Sequence, residues 1–387
     1  MRKFIYVLIL LFAIYFIFTH LAELQLILQV LSQGDWRWML AAVGVQLVWL
    51  VNIAAAFQST YRLVGVREHL SHLIPLTTVA NFLNVVAPSY GIGALAVLIA
   101  DGRRRGKPAA KVSTAVILFI VYDYLGFMVV LALGLTVMAK HDVLDTVLIA
   151  ASAFAISIAV VLITLTLLGI QSAERLGQAV LSLTNLTNRV VRPFLHRELI
   201  SPSRSQGFAN DFSEGLQHIR SSPSGLILPA ILALTQKALM ITILYLVSVA
   251  FHYPLNLDTL IASFSTSYLF TIASVTPSGV GFVEGAMTLY LQALQVPLAT
   301  SAVISIAYRS ITFWLILAYG IVAIRWVGYR PAKLSQAGSV AVGSPTTESF
   351  QPTSTTSSQA GHVLSPVEVE DDSSPVSIQP PHDPLSS

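Results

Sequence analysis

Long apolar runs alternate along this chain with short polar, basic stretches. The uninterrupted runs predict spanning helices at about residues 4–20, 38–58, 112–139, 145–169, 226–250 and 300–324, each near the ~20 residues that cross a bilayer. Two further apolar regions, about 73–100 and 259–296, are broken near their middles by "NVVAPSYGIG" and "SVTPSGVGFVEG". The first run, in "MRKFIYVLILLFAIYFIFTHLAEL", is about 16 residues long and no small-x-small cleavage pattern follows it, so an uncleaved first span is expected.

The basic residues orient these elements. Loop 59–72 carries Arg62 and Arg67, and loop 101–111 carries Arg103, Arg104, Arg105, Lys107 and Lys111. Loop 170–225 holds Arg175, Arg189, Arg192, Arg197, Arg204 and Arg220, and Arg325, Arg330 and Lys333 follow the last run. All four read as cytoplasmic by their positive charge, whereas 251–299 has no Lys or Arg and reads as external at both ends. Each broken region therefore enters and leaves on one side. The first is drawn as a re-entrant helix pair from the cytoplasm, hinged at Pro88, Gly91 and Gly93. The second enters from outside, hinged at Pro277, Gly279 and Gly281. Were either pair to cross fully, the charge bias of every later loop would reverse.

The two halves resemble each other. "VVAPSYGIG" matches "SVTPSGVG", and "IVYDYLGFMVVLALG" matches "IAYRSITFWLILAYG", which pairs Tyr122 with Tyr308, Asp123 with Arg309 and Gly134 with Gly320. The first half starts inside and the second outside, which is the plan of an inverted-topology repeat. The fold class expected is an all-α polytopic membrane protein with six full spans and two re-entrant hairpins. Residues 1–330 form the transmembrane domain, in halves of about 1–140 and 141–330. Within loop 170–225, Leu176, Val180, Leu183, Val190 and Phe194, and then Phe208, Phe212, Leu216 and Ile219, recur near helical spacing and predict amphipathic helices on the cytoplasmic membrane surface. Residues 331–387 are Ser/Thr/Pro-rich and predict a disordered cytoplasmic tail.

Composition fixes the solvent. Of 387 residues 55% are hydrophobic and 11% charged, against roughly 25% charged in soluble domains. Mean hydropathy is +0.72. There is no cysteine, which excludes disulfides, thiolate metal sites and Cys nucleophiles. The net charge of +3 gathers in short loops, as topology requires, and implies no nucleic acid. The histidines lack ligand spacing, and no nucleotide-binding or nucleophile-elbow motif is present. Neither a metal, a cofactor nor an enzymatic activity is expected.

Four ionisable residues fall inside apolar segments: Asp123, Lys237, Glu284 and Arg309. Each costs a few kcal/mol if left alone in lipid. Two acids and two bases can neutralise one another, and the repeat predicts that Asp123 faces Arg309 and that Lys237 faces Glu284. Read functionally, Arg309 and Lys237 receive an anionic head group in a polar cavity, with Tyr122 and Tyr308 beside them, while Glu284 gates the site or carries a proton. Read structurally, the four are ion pairs that hold a bundle together. Broken backbone within a bilayer is tolerated where it is buried in protein or lines a wet cavity. A half-helix ending there offers free N–H groups and a positive dipole end to an anion.

At "TPSGVGFVEGAMTLYLQALQVPLATSAVISIAYRSITFWLILAYG" the chain resembles the lysylphosphatidylglycerol synthase transmembrane region, a flippase-like membrane family. The resemblance rests on Pro277, Gly279, Gly281 and Glu284, then Tyr308, Arg309 and Trp314, and extends over about residues 5–325. The family's acidic residue and Arg after the first Gly-rich turn have no counterpart in "GIGALAVLIA". The resemblance implies movement of a phospholipid or lipid-linked sugar between leaflets of the cell membrane. In the bifunctional synthases a separate soluble domain transfers the amino acid, and no such domain is recognised in this chain. The alternatives are an ion-coupled transporter of a small anion, or a non-transporting partner of a lipid-modifying or glycosyl-transferring enzyme. Membrane lipids are the expected partners.

Overall fold

The computed structural model describes residues 30–86, 92–172, 174–182, 210, 212–216, 223–274 and 279–327. The chain divides into two units, Met1–Ser339 and Val340–Ser387, and every described residue lies in the first. The expected first span at 4–20, hinge residues Pro88, Gly91 and Pro277, and the tail 331–387 lie outside the described residues.

Regular structure among the described residues is entirely helical. Helix α1 is Trp36–Leu63, α2 Leu70–Val86, α3 Ile92–Arg104, α4 Ala109–Lys140 and α5 Thr146–Gln171. A short 3-10 turn, Pro223–Leu226, leads into α6, Ile227–Ala250. Then come α7 (Leu257–Ala273), α8 (Phe282–Ala293), α9 (Leu298–Arg309), a π-turn over Ser310–Trp314, and α10 (Leu315–Val327). Five helical stretches are long and apolar enough to cross a membrane: α1, α4, α5, α6, and the continuous run Leu298–Ala323 through the π-turn. They coincide with the five described spans expected from hydropathy. The chain is thus an all-helical, multi-pass membrane protein.

The lipid-facing surface is visible in α5. Asp145 caps it by accepting from Leu148 N at 2.8 Å, and no breaker interrupts its 26 residues. Only Leu148, Ser152, Ala155, Ala159, Thr166 and Gly169, one narrow helical face, are buried. Val147, Phe154, Val160 and Leu167 are exposed, each at least half so. Such a surface would aggregate in water but is matched to hydrocarbon.

The centre is built on α1 and α6, which run antiparallel. Asp35 N donates to Ala250 O at 2.9 Å at one end, and Asn52 Nδ2 donates to Leu232 O at 3.0 Å further along. On this pair the short helices are arranged as two hairpins. Helices α2 and α3 have 17 and 13 residues, about 25 and 20 Å at 1.5 Å per residue. Helices α7 and α8 have 17 and 12, about 25 and 18 Å. All four fall short of a ~30 Å hydrocarbon core. The open end of the first hairpin is clamped by ions: His72 Nε2 meets Asp101 Oδ2 at 2.8 Å, Arg105 Nη2 donates to His72 Nδ1 at 2.7 Å, and Arg105 and Lys107 approach Glu68 at 3.7 Å. The start of α2 and the end of α3 therefore share one side of the bundle.

Residues of loop 170–225 depart from the sequence reading. Leu176, Phe212 and Leu216 are buried in the main core against Gly169, and Ser213 Oγ donates to Gly169 O at 3.0 Å. Their periodicity was expected to face the membrane surface. Instead it faces the bundle, because Gly169 leaves a notch at the end of α5 that these side chains fill. The remaining apolar positions of that pattern, apart from the half-buried Val180, lie outside the described residues.

Candidate functional site

The four charges form two ion pairs, each joining a buried cation to a partly buried carboxylate, but with partners exchanged relative to expectation. Asp123 on α4 faces Lys237 on α6: Lys237 Nζ donates to Asp123 Oδ1 at 2.6 Å. Glu284 on α8 faces Arg309 at the end of α9: Arg309 Nε donates to Glu284 Oε1 at 3.0 Å. The predicted pairs Asp123–Arg309 and Lys237–Glu284 do not form. The physical reason lies in which helices adjoin: α4 lies against α6, and α8 lies against α9.

The pairs differ chemically. Asp123 uses both oxygens: Oδ1 also accepts from Gln236 Nε2 at 2.9 Å, and Oδ2 accepts from Tyr268 OH at 2.6 Å. The Lys237 ammonium lies 4.0 Å from the Tyr268 ring centroid, and its side chain is 1% exposed. This carboxylate is saturated with charge-assisted hydrogen bonds and its cation is sealed from lipid and water. Such a cluster welds α4, α6 and α7 together.

Glu284, by contrast, is in the first turn of α8, just after Gly279 at φ +73° and Gly281 at φ +79°. Those left-handed conformations suit glycine and start the helix abruptly. Its carboxylate lies at the positive end of the α8 dipole. Oε2 of Glu284 is buried and accepts no hydrogen bond among the described residues. Arg309 carries its guanidinium carbon 5.1 Å from the Phe313 ring centroid. The π-turn begins at the next residue, Ser310. Single π-turns inside α-helices concentrate at functional sites, because they shift the side-chain register at a small cost in hydrogen bonding. An anion arriving here meets the Arg309 guanidinium and the N-terminus of α8.

Of the other expected residues, Tyr308 is 4% exposed and turns its hydroxyl to Met240 Sδ at 3.8 Å, toward α6. Tyr122 is partly buried and packs against the main core. Gly93 is the second residue of α3. From the first hairpin, Asn81 Nδ2 and Asn84 Oδ1, three residues apart on α2, are buried and unpaired among the described residues. Tyr268 and the π-turn were not anticipated. A tyrosine within an apolar helix needs a partner for its hydroxyl when buried, which is the one signal that could have flagged Tyr268. The residue types around Ser310 carry no comparable mark.

Comparison with known proteins adds one finding. The family model described as "Lysylphosphatidylglycerol synthase TM region" matches residues 4–320, most of the chain. No curated protein and no solved structure matches.

Proposed function

Because the chain belongs to the lysylphosphatidylglycerol synthase TM region family, we propose that it is a lipid translocase of the cell membrane, carrying a phospholipid or lipid-linked sugar between leaflets by alternating access. The observation that carries this reading is the Glu284–Arg309 pair. Arg309 is buried and Glu284 partly so, the pair stands at the start of α8, and Glu284 Oε2 accepts no hydrogen bond among the described residues. A lipid phosphate would exchange with Glu284 for the Arg309 N–H groups, while Asn81 and Asn84 offer amide groups from the other hairpin. Asp123 and Lys237 hold the scaffold.

An inverted repeat is supported by how the halves interlock. The first helix of each hairpin packs on the last span of the opposite half, α2 on α10 and α7 on α4, while the central spans α1 and α6 pack on each other. The matched glycines lie at those two contacts. A Cβ at Gly134 would strike Ser265 of α7, and one at Gly320 would strike Phe82 of α2. On this reading the hairpins are re-entrant, the basic loops and both termini are cytoplasmic, and the chain itself catalyses no chemical step.

The test is leaflet exchange of head-group-labelled lipids in proteoliposomes. The full chain should accelerate exchange over empty liposomes. Arg309→Gln should slow it on the order of tenfold to a hundredfold, the range for losing a charge-assisted hydrogen bond. No acceleration with any of several head groups would overturn the reading.

A further inference from the structure

A groove of about 820 Å³ lies beside α8, and neither Glu284 nor Arg309 is among the residues that line it. Gly281, Gly285 and Ala286 give it a flat floor, and Phe270, Phe282 and Leu289 give it apolar walls. Phe282 is 48% and Leu289 63% exposed, so the groove opens sideways to hydrocarbon. The volume is that of a small-molecule site, and a Cβ built at Gly285 meets nothing within 4 Å.

One end is polar. His141, Asp142 and Asp145 line it, together with Tyr290, whose hydroxyl donates to Asp145 Oδ1 at 2.8 Å. Asp145 Oδ1 also caps α5. Among the described residues that line the groove there is no Lys or Arg. A phosphate placed at this end would face two carboxylates with no cation to offset them. A quaternary ammonium has no N–H to offer and makes no hydrogen bond to the carboxylates, to His141 or to the Tyr290 hydroxyl. Hydroxyl groups both donate and accept, and satisfy carboxylates and an imidazole together. The aromatic faces of Phe270 and Tyr290, stacked at 5.7 Å, stand beside that end. This end of α4 is also remote from Arg103–Lys107, about 48 Å away along its 32 residues.

We propose that this groove is an outer-leaflet station for a lipid with a neutral, hydroxyl-rich glycosyl head group, its chains lying along the floor of α8 and its sugar at His141, Asp142 and Asp145. The station deepens the translocase reading and rests on it for the side of the membrane, but its occupancy is measured separately from transport.

The experiment uses the full chain in detergent with equal amounts of glucosyl-diacylglycerol, phosphatidylglycerol and a diacyl trimethylammonium lipid, with retained lipid counted by native mass spectrometry. The expected result is about tenfold preferential retention of the glucosyl lipid. Gly285→Leu, which fills the floor, should abolish that preference with Tm unchanged. Asp142→Asn, at a left-handed position that asparagine tolerates, should reduce it severalfold and serves if the leucine variant does not fold. Gly44→Ala, on α1 and outside the groove lining, should leave it intact. Equal retention of the three lipids, preference for either charged one, or a glucosyl preference that survives both groove variants overturns the proposal. Retention without any leaflet exchange would instead sink the translocase reading and leave the groove standing.

Discussion

Asp123 and Glu284 are carboxylates on apolar helices, and their hydrogen bonds separate their roles. Asp123 accepts from Lys237, Gln236 and Tyr268, whereas Glu284 is bound through Oε1 and leaves Oε2 unmatched among the described residues. Removing one partner of a saturated buried pair strands a charge. Lys237→Met should therefore destabilise the bundle by about 3–5 kcal/mol, read as a large drop in Tm in detergent. Adding Asp123→Asn should recover a good part of that loss, a coupling that a double-mutant cycle measures. Glu284→Gln keeps an amide oxygen for Arg309 at a partly exposed position, so it should lower Tm less than Lys237→Met while abolishing leaflet exchange. The four charges were legible in the sequence because each interrupts an apolar run. Their pairing was not, since it depends on helix azimuth and on which helices adjoin. Asp123 and Arg309 align in the sequence and still point to different partners. Tyr268 is one of 13 tyrosines and bears no mark of its own.

Among the elements, the spans were read correctly because each described run exceeds the membrane thickness, and the one proline among them, Pro229, falls in the first turn of α6, where it breaks no helical hydrogen bond. The helix pairs were read from Pro and Gly at their centres, and the clamp of His72, Asp101, Arg105 and Glu68 accounts for why α2 and α3 begin and end together. That clamp was hidden, because its members are ordinary loop charges until the hairpin closes. Leu176, Phe212 and Leu216 were misplaced for a related reason: periodicity marks an apolar face without saying whether lipid or protein covers it. The interlock of the halves rests on two glycines. Gly134→Leu and Gly320→Leu should each cost about 1–3 kcal/mol by overpacking, seen as lowered Tm and yield. Gly44→Ala, whose Cβ would meet nothing within 4 Å, should be neutral or slightly stabilising. Equal tolerance at all three positions would count against the interlock.

At the scale of the whole molecule, the proposed translocase has two short helical hairpins that enter the bilayer from opposite faces and meet around a charged centre. The chain has no native cysteine, so single cysteines report their own positions without background. The decisive measurement is labelling of single-cysteine variants at Arg67 and Arg103, which flank the first hairpin, and at Tyr253 and Gln295, which flank the second, by a membrane-impermeant maleimide in vesicles of known orientation. Reaction of Arg67→Cys and Arg103→Cys from the cytoplasmic face, with Tyr253→Cys and Gln295→Cys reacting from the other, is the result predicted. Labelling of positions 67 and 103, or of 253 and 295, from opposite faces would contradict it, because that hairpin would then cross the membrane.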